Sequence, residues 1–129
     1  MKSTDLTIGD LAARFGLATH VLRHWESEGL LTPSRRVGNQ RRYDAAAVDR
    51  VAVILRAKKA GLSLDRMRRV LTGGLAERRT VLKTQYDDLV AQIAEAQAAL
   101  AMLDHALACR ADPLESCPHF RQLAQAPAT

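Results

Sequence analysis

"TIGDLAARFGLATHVLRHWESEGLL", residues 7–31, decides the fold. Thr7 is a good N-cap, and Asp10 stands three residues on, where it can return a hydrogen bond. Ile8, Leu11, Ala12 and Phe15 recur at helical spacing, and Gly16 is placed to stop the helix. The pattern then restarts. Thr19 reads as a second N-cap, Val21, Leu22 and Trp25 share one face, and Gly29 closes the segment. Two short helices joined by "GLA" predict a helix-turn-helix.

Downstream, "LLTPSRRVGNQRRYD" carries Pro33, Gly38 and Asn39, which break helix and favour a turn. Extended arms on either side predict a small hairpin, or wing, bearing Arg35, Arg36, Arg41 and Arg42. Asp44 is placed to cap the next helix, whose apolar face is Val48, Val51, Ile54 and Leu55 and whose end is Gly61. Ser63 opens another short helix that stops at Gly73-Gly74.

The last long element is predicted from about residue 75 to 108. Leu82, Tyr86, Leu89, Ile93, Ala96, Leu100, Leu103 and Leu107 alternate at spacings of four and three, an a/d seam. Nothing else in the chain is long enough to bury it, so the expected partner is a second copy, forming a homodimeric coiled coil. A monomeric bundle is the alternative. The heptads alone leave parallel and antiparallel pairing open. Asp112-Pro113 and Pro118 interrupt helix in the tail. "HFRQLAQ" is expected to form a turn or two, with Phe120 and Leu123 packing back, and "APAT" to fray. The expected organisation is a winged helix-turn-helix domain (1–74), a dimerisation helix (75–108) and an effector loop and tail (109–129), a mainly α fold.

The charge is uneven. Net charge is +5 over 129 residues, but residues 1–74 hold 14 Lys/Arg against 7 Asp/Glu, while residues 75–129 hold 5 against 7. The first half therefore invites a polyanion. No apolar run can span a bilayer, and "MKSTDLTIGD" lacks the apolar core of a secretory signal, so a cytoplasmic protein is expected. No nucleophile–base set, glycine-rich phosphate loop or acidic metal pair argues for an enzyme.

A helix-turn-helix lays its second helix in the major groove. Thr19 and His20 stand at that helix's start, nearest the bases, and Arg23 and His24 lie on the same outward face. Arg23 and the wing arginines are expected on phosphates, Tyr43 either on a phosphate or in the core, and Arg56 and Lys59 extend the positive surface. An architectural coiled-coil protein that binds any DNA is the alternative of another class.

At this point the chain resembles the MerR family of transcription regulators. "LRHWESEGLL", "RRVGNQRRY" and "KKAGLSLDRM" carry the likeness over residues 6 to about 71. The resemblance implies an antiparallel dimerisation helix. It also implies a dimer on a promoter pseudopalindrome that distorts the DNA and so acts on RNA polymerase indirectly. His24-Trp25 replace the family's usual aromatic pair. "GNQRRY" resembles the redox-sensing SoxR branch, but the clustered cysteines that hold its iron–sulfur cluster are missing, so no such cluster is expected.

"ACRADPLESCPH", residues 108–119, holds Cys109 and Cys117, the only cysteines. In a reducing compartment, paired thiols point to reactivity or metal binding before a structural disulfide. The loop between them can fold back on one soft ion, Cu(I), or Zn²⁺ with added ligands from His119, His105 or Asp112. Their spacing after the long helix resembles the effector loop of the copper-sensing CueR branch. Thiol-based redox sensing, and two thiols with no effector role, are the alternatives.

Overall fold

The computed structural model describes residues 5–126. The chain divides into two compact units, residues 1–82 and 83–129, with the dividing point inside the long helix. Expected fraying of residues 127–129 lies outside the described residues.

The first unit begins with α1 (Ile8–Arg14) and α2 (Thr19–Ser27). Thr7 and Asp10 form a reciprocal capping box: the Thr7 hydroxyl accepts from the Asp10 N–H at 3.1 Å, and the Asp10 carboxylate accepts from the Thr7 N–H at 3.2 Å. Gly16 (φ 67°) and Gly29 (φ 77°) then turn the chain through the left-handed region that side chains disfavour. Each end carries two return bonds. Leu17 and Gly16 donate to the carbonyls of Ala12 and Ala13, and Leu30 and Gly29 to those of Trp25 and Glu26, the paired bonds of a Schellman motif. One expectation shifts by a residue. Ala18, with extended backbone, is the N-cap of α2, and Thr19 is its first helical residue. The turn after Gly16 is so short that the extended position falls on Ala18, and no side chain caps this helix.

β1 (Arg35–Val37) and β2 (Gln40–Arg42) form the wing, an antiparallel pair joined by Gly38-Asn39. Its register sets Arg35 opposite Arg42 and Arg36 opposite Arg41, like charges facing each other across the ladder. Asp5 offsets part of this, lying 2.7 Å from Arg35 and 3.7 Å from Arg42. Leu6 and Tyr43 exchange backbone hydrogen bonds at 2.9 and 2.8 Å, tying the wing's base to the start of the chain.

α3 (Ala45–Lys59) is capped by Asp44 and α4 (Leu64–Thr72) by Ser63, as their sequences predict. The core gathers Leu11, Leu22, Leu30, Val51, Ile54 and Met67 around the two aromatic rings of Trp25 and Tyr43. Arg68 of α4 reaches back to α2: its Nε donates to the Glu28 carbonyl at 3.1 Å, and its guanidinium pairs with the Glu28 carboxylate. It thus satisfies a helix end whose carbonyls lack intrahelical partners.

α5 (Leu75–Ala108) is one continuous helix of 34 residues. Its seam is open: Leu82, Tyr86, Ile93, Leu100, Leu103 and Leu107 are all exposed, Leu107 at 86%. Ala96 is exposed as well and Leu89 half-buried. After a loop and a short 3₁₀ turn (Leu114–Ser116), α6 (Pro118–Gln125) closes the described chain. Pro118 suits the first helical position because its missing N–H would have no partner there.

Candidate nucleic-acid interface and effector site

Two sets of residues carry chemistry, one in each unit. The first lies on α2 and the wing. Leu22 and Trp25 turn into the core, which leaves His20, Arg23 and His24 exposed on the opposite face. Thr19 is half-buried at the helix start. Arg35 and Arg36 are exposed on the wing, while Arg41 and Arg42 are half-covered. Arg23 and Arg41 wall one cleft of about 230 Å³ together with Thr7, Ile8, Asn39 and Gln40, so α2 and the wing present cations to the same space. Arg56 and Lys59 are exposed in the last turn of α3.

Tyr43 is not part of this surface. It is fully buried, and its hydroxyl donates to Glu26 in a short hydrogen bond. Burial, then the Glu26 hydrogen bond and charge, push its pKa far above the ordinary tyrosine value. Of the two roles expected for it, its burial and the Glu26 bond match the core role. Arg41 is likewise held inward, its Nε 2.6 Å from the other Glu26 oxygen. Glu26 thus binds the recognition helix to the wing. Sequence reading missed it, because a carboxylate in a helix looks like any solvated residue until its partners, fifteen and seventeen residues away, are placed.

The second set lies at the end of α5. The Cys109 N–H donates to the His105 carbonyl at 2.8 Å, so the helical turn carries on through Cys109 and puts His105 and Cys109 on one face. Cys117 is the N-cap of α6. The fold of the loop brings its Sγ to 3.3 Å from His105 Nε2. The ligand atoms of His105, Cys109 and Cys117 all lie within 4.8 Å of one another, and all three residues are half-buried. The Cys117 side chain makes no cap hydrogen bond of ordinary geometry. Even so, the Phe120 backbone N–H, followed by the Cys109 thiol, the His119 N–H and the Arg121 charge, holds its pKa below the usual thiol value against partial burial. Of the three added ligands weighed from sequence, only His105 joins the group. His119 instead sets its ring beside that of His105, with centroids 4.5 Å apart. Asp112 is exposed and outside the group.

A two-helix reader with a basic wing, followed by a long helix, defines a winged helix-turn-helix DNA-binding regulator. Residues 6–74 match the model of the MerR HTH family of regulatory proteins, and residues 48–106 match the model described as MerR, DNA binding. The chain belongs to the MerR family. It is similar to the HTH-type transcriptional activator TipA of Streptomyces coelicolor, 31% identical over 87% of this chain, but it spans only 45% of that relative's length. Among solved structures it resembles HiNmlR, a MerR family regulator lacking the sensor domain, bound to promoter DNA (26% identity, TM-score 0.64, 81% of this chain and 89% of that one). It also resembles PbrR691 from Ralstonia metallidurans CH34 in complex with lead(II) (26% identity, TM-score 0.62, 92% and 98%). No helix among the described residues is long and apolar enough to cross a membrane.

Proposed function

We propose that this DNA-binding transcription regulator acts in the cytoplasm as a homodimer and switches a promoter when a soft metal ion binds at Cys109 and Cys117. The observation that carries the metal reading is the convergence of both thiols and one imidazole within 4.8 Å, directly after the long helix. Thiolates select soft ions, and the lowered pKa of Cys117 favours the form that binds them. The donor set therefore fits a thiophilic metal. The likeness to a lead(II)-bound regulator points the same way.

The homodimer rests on the open seam. Six large apolar side chains in register along one helix face, each more than two-fifths exposed, are covered when the seams of two copies interdigitate. Antiparallel pairing follows the family resemblance. In the dimer each protomer takes one half-site. His20, at the start of α2, reaches base edges, Arg23, Arg35 and Arg36 grip phosphates, and Arg56 and Lys59 extend the contact. Metal binding biases the dimer toward a DNA-distorting arrangement, and the deformation energy passes the signal to RNA polymerase without a direct protein contact.

The test is titration of reduced full-length protein with Cu⁺ and with Zn²⁺. It compares wild type with Cys109→Ser and Cys117→Ser and reads thiol protection and promoter output together. Protection of both thiols, with loss of response in both variants, is expected. Normal regulation by both variants, with no soft metal bound tighter than micromolar, sinks the reading.

A further inference from the structure

The geometry points to His105 as a third protein ligand of the thiol site, and to a divalent thiophilic ion of the zinc class, not a monovalent one, as the ion the site retains. This deepens the metal reading above and rests on it. Two cysteines alone suit a two-coordinate monovalent ion, and the loop's sequence leaves that choice open. The placement of His105 narrows it.

His105 and Cys109 sit one helical turn apart on the same face of α5, so a single ion can reach both. His105 Nε2 and Cys117 Sγ are 3.3 Å apart. Zn–S bonds of about 2.3 Å and Zn–N bonds of about 2.0–2.1 Å set tetrahedral neighbours about 3.6 Å apart. The pair therefore needs only a small outward shift to span a zinc-sized ion, which places the imidazole where it can enter the same shell as Cys117.

Charge argues the same way. Two thiolates and one neutral imidazole cancel a divalent ion, whereas a monovalent ion leaves a net negative charge among three half-buried residues. Imidazole nitrogen is a zinc donor, while purely thiolate sets favour Cu⁺. The surroundings also hold the donors in place. The His119 and Phe120 rings lie 4.5 and 6.3 Å from the His105 ring, and the Ala111 N–H donates to Cys109 Sγ at 3.4 Å. Outer contacts of this kind orient ligands and raise affinity. Three protein donors leave one tetrahedral position for water or a small anion.

The experiment uses reduced, anaerobic, full-length protein. Zn²⁺ and Cu⁺ are each titrated against a competing chelator, and Co²⁺ serves as a spectroscopic stand-in. Wild type is compared with His105→Phe, which keeps a ring, His105→Gln, which keeps a polar group, and the Cys109→Ser/Cys117→Ser double variant. Wild type should take one Zn²⁺ per chain and give intense tetrahedral Co²⁺ bands with thiolate charge transfer. Both His105 variants should lose Zn²⁺ affinity by more than about tenfold, since even outer-contact losses reach that size. Their Co²⁺ bands should shift while Cu⁺ binding stays unchanged. If both His105 variants bind Zn²⁺ like wild type, His105 is not a ligand, and the two-thiol reading stands without it. Equal losses for both ions overturn the preference for a divalent ion. A double cysteine variant that binds as tightly as wild type, or a wild type that binds neither ion, overturns the metal reading itself.

Discussion

Glu26 accepts the hydroxyl of Tyr43 from within the recognition helix, and that bond ties the helix to the base of the wing. The same carboxylate holds Arg41. Removing the acceptor strands a buried hydroxyl, and removing the hydroxyl leaves the acceptor still paired. Glu26→Ala should therefore cost about 2–3 kcal/mol and Tyr43→Phe only about 1 kcal/mol. Urea unfolding of both variants at neutral pH checks the order. Equal losses would show that the carboxylate's second partner contributes nothing.

The wing arginines divide by their surroundings. Arg36 is exposed, whereas Arg41 is half-covered and ion-paired. Arg36→Ala should weaken binding to every DNA sequence alike and lower the salt dependence by about one counterion. It should leave the unfolding midpoint in place. Arg41→Ala should lower both binding and stability. Affinity measured at several salt concentrations, beside unfolding curves, separates the two, and a sequence-selective loss in Arg36→Ala would contradict a phosphate role.

The open seam makes assembly testable. Ile93 is 56% and Leu100 59% exposed along α5, so a charge at either position should leave the first unit folded while breaking self-association. Sedimentation of Ile93→Asp and Leu100→Asp should give monomers at concentrations where wild type is a dimer. The wild-type unfolding midpoint should rise with concentration and that of the variants should not. A dimer that survives both changes would mean that the seam is covered in some other way.

The cap on α3 carries a pH signature. Asp44 is held below its ordinary value of 3.8 by the Ser34 hydroxyl first, and then by the Ala47 N–H. A depressed folded pKa contributes stability that is fully present above the unfolded value and lost as pH falls through the folded one. The stability gap between wild type and Asp44→Ala should thus be constant from pH 7 to about 5 and shrink below about pH 4. Unfolding midpoints taken across that range test it, and a gap that widens on acidification would reverse the sign.

Helix ends were the most legible part of this chain. Thr7, Asp44 and Ser63 cap, and Gly16, Gly29 and Gly61 stop, for reasons local to a few residues. The seam was legible because period alone defines it. What stayed hidden depended on residues far apart in sequence meeting in space. Glu26 lies seventeen residues from Tyr43, and Arg68 lies forty from Glu28. No window of periodicity reports either pair. Tyr43 was ambiguous because a phenol suits both a phosphate and a core, and its burial is not readable from the sequence. At the proposed metal site the cysteines were plain from their spacing. The choice among His105, His119 and Asp112 required the path of the loop, which spacing does not fix.

The wing's register has one last consequence. Four arginines face each other in two opposed pairs, and among the described residues the carboxylates of Asp5 and Glu26 answer them. Dissolved ions shorten the reach of that repulsion, and they also compete for the phosphates that the hairpin would hold. On the proposed role of the wing, ionic strength would therefore act with opposite signs, firming the hairpin in the free protein while loosening its hold on DNA. If the wing holds phosphates as proposed, a duplex would supply the missing countercharge, and the hairpin would be best satisfied either in concentrated salt or on its target.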